Sequence, residues 1–329
     1  YSSAASDVYK RQAVVQSYNL SFTKADKKSN QLFSLGYYDQ QGLVKFSDFK
    51  RVSGRFNSEY KLFDDHFRIG ENISLSHSWG TSVSNNAALG GTLYEAYKFQ
   101  SITPVKNLED EYAGNVFSDI PNPMGKLYRN KDNQDKKSRL VGNLYAELHL
   151  FDGLMFKTSF GVDYNNLYRR SFSPKYDELN ASEKLSSLSN RNAWNFNWVF
   201  TNTLTYNKTF GDHTINALLG MESLRNRYEY FTASRDGFPS DDPNFRFLDA
   251  GDVGTQKNSG AATEYSMVSY FGKLDYNYHD RYLVAFTLRR DGSSRLGNNK
   301  WGNFPAASVG WRISNEPFFD VEAISNLKV

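Results

Sequence analysis

The feature that most constrains the fold is a strict alternation of apolar and polar side chains. In residues 268–278 the even positions carry glycine, aliphatic or aromatic residues, and the odd positions include Lys273 and Asp275. A period of two residues predicts a β-strand with one apolar and one polar face. A second alternating run, 282–289, follows after a tight corner, so the two runs predict an antiparallel hairpin.

Full charges on the polar face limit what that face can pack against. A sandwich core would bury these charges away from water, whereas the water-filled lumen of a barrel would solvate them. A mean hydropathy of −0.63 does not exclude a membrane, because only alternate residues of a barrel strand face lipid. The chain has no apolar run of about 18 residues, so no membrane helix is predicted. A soluble all-β sandwich stays open as the rival fold.

Composition argues against several other classes of protein. The 329 residues include no cysteine, which excludes a disulfide scaffold and a thiolate metal site. The net charge of +3, with mixed signs, gives no nucleic-acid signature. The five histidines are scattered without ligand spacing, so we expect no metal site and no cofactor.

Similar alternating runs recur along the chain and predict about eleven strands and the start of a twelfth. They lie near residues 16–24, 33–38, 51–62, 67–79, 140–150, 154–165, 194–206, 215–222, 268–278, 282–289 and after residue 302, with the twelfth at 327–329. Many exceed the roughly 10 residues that cross a bilayer. The predicted fold is all-β, a partial antiparallel transmembrane β-barrel with about 11–12 of roughly 22 strands.

The connections between these runs alternate between short and long, as in outer-membrane barrels with short periplasmic turns and long external loops. The predicted external loops are 81–137, 171–192, 232–261 and 292–302. A possible capping box that starts at Thr92 predicts a short helix near residues 92–99.

The ends of the chain differ from the rest. Residues 1–12 fit no strand pattern and lack an apolar signal segment, so we interpret them as a non-native scar or a disordered arm. Residues 13–329 are interpreted as the N-terminal half of a barrel. A barrel cannot leave strand edges unpaired in lipid, so we expect this chain to be a fragment of a larger one.

The most specific motif is the run YFGKLDYNYHDRYLVAFTLRRDGSSRLG, followed by WGNFPAASVGWRISNEPFF. It resembles the barrel signature of SusC/RagA-type TonB-linked outer-membrane transporters. The early run YNLSFTKADKKSNQLFSLGYYDQQGLVKFSDFKR looks like the first barrel strands of that family, and ISNLKV resembles the start of its next strand. The resemblance covers most of residues 13–329.

This resemblance implies a function. Members of the family are similar in having a plug inside a barrel of about 22 strands. They import glycans or peptides with a SusD-like surface lipoprotein, driven by the TonB-ExbB-ExbD complex. The expected partners are therefore that lipoprotein, that complex and outer-membrane lipid, with no nucleic acid. The chain departs from the family in lacking the plug, the TonB box, a signal peptide and the second half of the barrel.

Two groups of residues are candidates for a role other than forming the barrel wall. Aromatic side chains in the longest external loop could stack on a ligand, pack within the loop or contact the lipoprotein; they are Tyr94, Tyr97, Phe99, Tyr112 and Phe117. Charges on the polar faces could line a pathway or pair with the plug; they are Arg51, Arg55, Glu59, Lys61, Lys157, Asp163, Lys273 and Asp275.

The signature loop contains serines that could suggest a catalytic site, but the neighbouring residues do not support one. It comprises Arg290, Asp291, Gly292, Ser293, Ser294, Arg295 and, further on, Trp301. No histidine and no nucleophile elbow accompanies its serines, so we interpret the loop as a structural corner with no catalytic residue. The Lys131–Asp135 run hints at a calcium loop but lacks its glycine and its final glutamate.

Three functions remain in competition at this point. The leading hypothesis is active, TonB-dependent import of oligosaccharides or peptides. A passive porin, an adhesin or a siderophore receptor would use a similar barrel. A barrel hydrolase would need acidic, histidine or serine residues clustered on facing strand rims, and the sequence predicts none.

Overall fold

The computed structural model describes residues 6–9, 12–83, 91–321 and 323–329. Its strands are β1 (Val15–Ala25), β2 (Ser29–Gln41), β3 (Asp48–Leu62), β4 (Phe67–Gly80), β5 (Gln134–Phe151), β6 (Leu154–Ser173), β7 (Tyr176–Glu178), β8 (Ala181–Glu183), β9 (Ser187–Phe210), β10 (His213–Asp236), β11 (Lys257–Tyr278), β12 (Tyr282–Ser293) and β13 (Trp301–Trp311). Eleven of these described strands form one antiparallel sheet in chain order, with β1 and β13 at its edges, while β7 and β8 pair as a separate hairpin. The prediction of a sequential antiparallel sheet is confirmed.

The predicted start of a twelfth strand pairs with β13. Arg312 and Lys328 form an antiparallel bridge. Trp311 and Val329 exchange two backbone hydrogen bonds of 2.9 Å each. The last described residues therefore continue the sheet in the same order.

The sheet has two chemically different faces. Cross-strand partners such as Leu274 and Phe286 share one face, which we call the apolar face. Lys273 and Asp275 lie on the other, which we call the polar face, and their side chains form an ion pair 2.7 Å long. Large apolar side chains stay exposed across the first face, including Leu274 at 44% and Phe286 at 46%. A face of this kind needs an apolar solvent rather than water.

Several strands are longer than the sequence predicted. β9 and β10 each have 24 residues, and β11 has 22. The alternation breaks down in their outer parts because the apolar face there becomes polar, with Arg225, Arg227 and Glu229 following Met221 in β10. The predicted loops were correspondingly too long, and the 232–261 loop is reduced to 237–256.

The two ends of the sheet differ as the loop pattern predicted. The short connections are 26–28, 63–66, 152–153, 211–212 and 279–281, all at one end. The connections at the other end are 42–47, 81–133, 174–186, 237–256 and 294–300. The tight reversal at the short end needs left-handed backbone, which His279 and Asp280 adopt with φ values of 57° and 52°.

Most of the buried apolar side chains lie in the connections at the long end and the strand ends beside them. One cluster joins Val8, Ala96, Met124 and Leu127, and a second joins Phe172, Leu188 and Phe238. Phe172 and Leu188 come from the ends of β6 and β9, and the middle of the described sheet strands contributes to neither cluster. We call the described parts of 6–9, 42–47, 81–133, 174–186 and 237–256 the loop layer.

Two α-helices lie in the loop layer, α1 (Thr92–Lys98) and α2 (Pro123–Asn130). The prediction of a helix near 92–99 is confirmed, but the capping box at Thr92 is wrong. The N-cap of α1 is Gly91, and no side chain caps the helix there. None of the helices in the described residues is long and apolar enough to span a membrane.

The first twelve residues are described only in part. Residues 1–5, 10 and 11 lie outside the described ranges. Val8 is fully buried in the first cluster, and Tyr9 forms a β-bridge with Val44. The interpretation of residues 1–12 as a scar or a disordered arm stays a prediction.

Candidate functional site

Asn122 organises the longest connection of the loop layer. It is fully buried as the N-cap of α2, and its side-chain oxygen accepts from the N–H groups of Met124 and Gly125 at 3.0 and 3.2 Å. Its side-chain nitrogen donates to the carbonyls of Val105 and Ala113 at 3.2 and 2.9 Å. An asparagine before a proline at the first helical position is a strong helix start, because proline lacks the N–H that would need a partner. One side chain thus joins α2 to two other segments of the loop.

A buried ion pair connects this loop to the β7–β8 hairpin. Glu178 of β7 is 3% exposed, and its carboxylate accepts from Arg129 of α2 at 2.6 Å. Its second oxygen accepts from the backbone N–H of Asn122, also at 2.6 Å. Burial raises the pKa of Glu178 above its ordinary value, although Arg129 and the N–H of Asn122 oppose that shift. The contact between the two loops therefore depends on a carboxylate held away from water.

A pocket of about 410 Å³ opens beside this ion pair. Its lining comes from α2, the end of β6 and the hairpin; it includes Lys126, Arg129, Asn130, Asn133, Ser171, Tyr176, Glu183 and Ser187. The guanidinium carbon of Arg129 lies 3.8 Å from the ring centroid of Tyr176, which orients that ring. We call this cavity the loop pocket.

The chemistry of the loop pocket suits binding better than catalysis. Amides, hydroxyls, charged groups and an aromatic ring are the groups that hold polar ligands with apolar surfaces. Its described lining contains serines but no histidine.

The five predicted loop aromatics are not brought together. Phe99 is 4% exposed, so its ring is surrounded by protein. Tyr112 packs against the ring of Tyr128, and burial raises the pKa of its hydroxyl. Tyr97 and Phe117 are exposed at 89% and 68%.

The remaining aromatic, Tyr94, stacks with the ammonium group of Lys98 at 4.3 Å. None of the five lines the loop pocket, and Tyr176, which does, was not singled out from the sequence. The only sequence signal for Tyr176 was that it is an aromatic residue in a long loop predicted to be external. The role of the five as ligand contacts stays a prediction.

Charged side chains in and beside the signature loop lie on both faces of the sheet. On the polar face, Arg289 bonds to Asp291 at 2.7 Å and to the Ser269 hydroxyl at 2.9 Å. On the apolar face, Arg290 lies over the Trp301 ring, which also covers Gly292 so closely that a Cβ there would be 2.9 Å from it. These contacts hold β11, β12 and β13 in register.

The end of the signature loop attaches to β11. The Ser294 hydroxyl accepts from the N–H of Ser266 at 2.9 Å. The N–H of Arg295 lies 3.3 Å from the Ser293 hydroxyl, and its guanidinium stacks on Tyr265 at 3.8 Å. Each of these polar groups therefore has a partner within the protein, as expected of a loop with a structural role.

Several charges of the polar face pair with each other inside the wall. The ion pairs are Lys157–Glu147 at 2.9 Å, Asp163–Arg139 at 2.8 Å, Arg169–Asp135 at 2.5 Å and Lys273–Asp275 at 2.7 Å. Glu59 accepts from the Tyr145 hydroxyl at 2.8 Å. These pairs neutralise part of the charge on this face. Arg51 instead lies over the Tyr38 ring at 5.9 Å, and Arg55 and Lys61 form no ion pair with a described residue.

Side chains of the Lys131–Asp135 run, which resembles a calcium loop in part, bond to other residues of the protein. Asp132 pairs with Arg246 at 3.2 Å, and Asn133 bonds to the backbone of Phe172 in both directions. The described residues contain no cluster of three or more histidine or acidic side chains placed to hold a metal ion.

Comparisons with known proteins give a consistent result. No protein-family model matches the chain. It is 31% identical over 307 residues to TonB-dependent receptor P3 of Formosa agariphila, covering 91% of this chain and 30% of that protein. It is 28% identical over 350 residues to TonB-dependent receptor SusC of Bacteroides thetaiotaomicron, covering 97% of this chain and 33% of that protein.

A solved structure of the RagAB peptide transporter has the same fold, with a TM-score of 0.82 and 22% identity. The match covers 97% of this chain and 36% of the solved one. The chain thus spans about a third of the length of the relatives that it matches.

Proposed function

We propose that this chain, as part of a SusC/RagA-type TonB-dependent receptor of the outer membrane, forms the first half of the barrel wall of that receptor. The receptor would act as an importer. The observation that carries the proposal is the two-faced sheet with its loop layer at one end. Its apolar face fits lipid and its polar face fits a filled lumen. Residues 13–329 would be the N-terminal barrel half, preceded by a plug and followed by the remaining strands.

The loop layer supports a covering partner. Its longest connection exposes Tyr97, Ile102, Leu108, Val116 and Phe117, each at 68% or more. Large apolar side chains exposed along one ordered connection are available for contact with another protein. We propose that this surface meets a SusD-like lipoprotein, the counterpart of the second component of the RagAB transporter. Energy would come from the TonB-ExbB-ExbD complex on the periplasmic side.

The cargo we propose is an oligosaccharide or a peptide. The loop pocket supports this choice, because it combines an oriented tyrosine ring with amide, hydroxyl and charged groups. Such groups fit the hydroxyls and apolar faces of sugars as well as the backbone of a peptide. The family transports its ligands, so no chemical step is expected at the pocket.

The proposal predicts energised uptake that depends on Tyr176. In cells that produce the intact receptor and its lipoprotein, deletion of TonB should abolish uptake of a labelled oligosaccharide or oligopeptide pool. Tyr176→Ala should weaken binding of the transported ligand about three- to ten-fold, the usual range for one aromatic contact. Tyr176→Phe should retain the ring and the binding.

Phe247→Ala is the matched control, since Phe247 is an exposed aromatic residue of the same loop layer that lies outside the loop pocket and is not a candidate ligand contact. Uptake that continues without TonB would identify a passive pore instead. Equal binding by the Tyr176→Ala and Phe247→Ala variants would remove the loop pocket from the ligand path.

A further inference from the structure

A groove runs along the apolar face where β11 lacks a side chain. Gly272 lies between Leu219 of β10 and Leu288 of β12 in the strand register. Tyr270 and Leu274 stand above and below it on the same face. The resulting cavity has a volume of about 700 Å³ and an almost wholly apolar lining. A Cβ on Gly272 would come within 3.2 Å of a Leu219 methyl group, so glycine keeps the groove open.

The end of the groove nearest the loop layer carries a positive charge. Arg290 stands beside Tyr270 in the register and lines the groove. Its guanidinium carbon is 5.0 Å from the Trp301 ring centroid, and no described acidic side chain forms an ion pair with it. Phe286, at the lower end, is four residues away, or roughly 13 Å along the strand.

Two arginines of β10 on this face are neutralised. Arg225 pairs with Glu264 at 2.7 Å, and Arg227 pairs with Glu229 at 2.8 Å. Arg289, next to Arg290 in sequence, lies on the polar face and pairs with Asp291. Arg290 therefore differs from its neighbours in presenting its charge outward without an acidic partner, at the edge of an apolar groove.

We propose that this groove binds one phosphate-bearing lipid of the outer leaflet, with an acyl chain over Gly272 and the phosphate at Arg290. The apolar lining matches a hydrocarbon chain, and the charge of Arg290 matches an anionic head group. Trp301, on the same face at the start of β13, is the kind of amphipathic aromatic residue that meets head groups. This inference rests on the orientation in the proposed function, which places the loop layer outside the cell.

The test is lipid binding by the intact receptor in detergent, measured by native mass spectrometry. Phosphatidylglycerol is the anionic probe and phosphatidylcholine is the zwitterionic reference. Arg290→Gln should weaken phosphatidylglycerol binding about five-fold, the effect of one basic group near an anionic surface. Arg290→Lys should restore it. Gly272→Leu should fill the groove and weaken the binding of both lipids.

Arg225→Gln is the matched control, because Arg225 lies on the same face but already has an acidic partner. The proposal is overturned if Arg225→Gln and Arg290→Gln lose the same affinity, or if Gly272→Leu leaves binding unchanged. Competition by inorganic phosphate would assign Arg290 to a free anion and would also overturn it. If Arg290→Gln fails to fold, as judged by heat-modifiable gel migration, the Arg290→Lys and Gly272→Leu variants decide. Ligand uptake by the variants is measured separately, so failure of the import proposal is recognised independently.

Discussion

Arg129→Met is expected to weaken the attachment of the β7–β8 hairpin to α2 by about 3–5 kcal/mol, the usual result of breaking a buried ion pair on one side. Glu178, whose side chain is 2% exposed, would lose its cationic partner and, where it stays ionised, would be a buried unpaired charge. Hydrogen exchange of the amides in α2 and β7, measured in the intact receptor, should report this loss as faster local opening.

The effect of Arg129→Met should depend on pH. The pKa of Glu178 is raised in the folded protein, so its contribution to stability is fully present below the unfolded pKa and is lost as pH rises through the folded one. Removal of Arg129 raises that folded pKa further. The variant should therefore be closer to the unaltered protein at pH 5 than at pH 8.

Lys184→Met provides the control for this prediction. Lys184 and Asp177 form an ion pair 3.2 Å long in the same hairpin, but their side chains are 76% and 69% exposed. Its removal should cost less than about 1 kcal/mol. Equal exchange rates for the two variants, or a larger effect of Arg129→Met at pH 5 than at pH 8, would contradict the account of Glu178.

Asn122→Ala is expected to cost about 3 kcal/mol of local stability, because it removes a helix cap and leaves buried polar groups without partners. The groups that lose hydrogen bonds are the N–H groups of Met124 and Gly125 and the carbonyls of Val105 and Ala113. Limited proteolysis of the intact receptor should then cut the 91–133 segment much faster.

Asp242→Ala is the matched control for the loss of Asn122. Asp242 also precedes a proline and caps a short helix, accepting from the N–H of Asn244 at 2.9 Å, but it is exposed. Its loss should cost no more than about 1 kcal/mol. Proteolysis of the two variants at the same rate would mean that Asn122 does not anchor the loop.

The sheet was predictable because its period is visible wherever one face meets lipid and the other meets water. Strand order, the two faces and the long-end and short-end connections all follow from that pattern and from turn lengths. The outer parts of β9, β10 and β11 were missed because their apolar face becomes polar there, as Arg225, Arg227 and Glu229 show in β10. A strand with polar groups on both sides has no periodic signal.

The loop layer was much less predictable. Its order comes from long-range contacts such as Glu178 with Arg129 and Asn133 with Phe172, which no local pattern encodes. The three-residue strands β7 and β8 are too short to show a period. The helix α2 was not predicted, although Asn122 before Pro123 is a recognisable helix start, and Thr92 suggested a cap that Gly91 provides instead.

We propose that this chain forms part of a barrel wall in the outer membrane, with its loop layer outside the cell. The chain has no cysteine, so single cysteines can be introduced without background from it. Tyr97 in the loop layer is 89% exposed, and Phe63 in the 63–66 turn at the opposite end is 78% exposed. The measurement is labelling of intact cells with a membrane-impermeant maleimide. We predict that the Tyr97→Cys receptor is labelled in intact cells and the Phe63→Cys receptor only after the outer membrane is permeabilised. Labelling of Phe63→Cys in intact cells, to the same extent as Tyr97→Cys, would contradict the account.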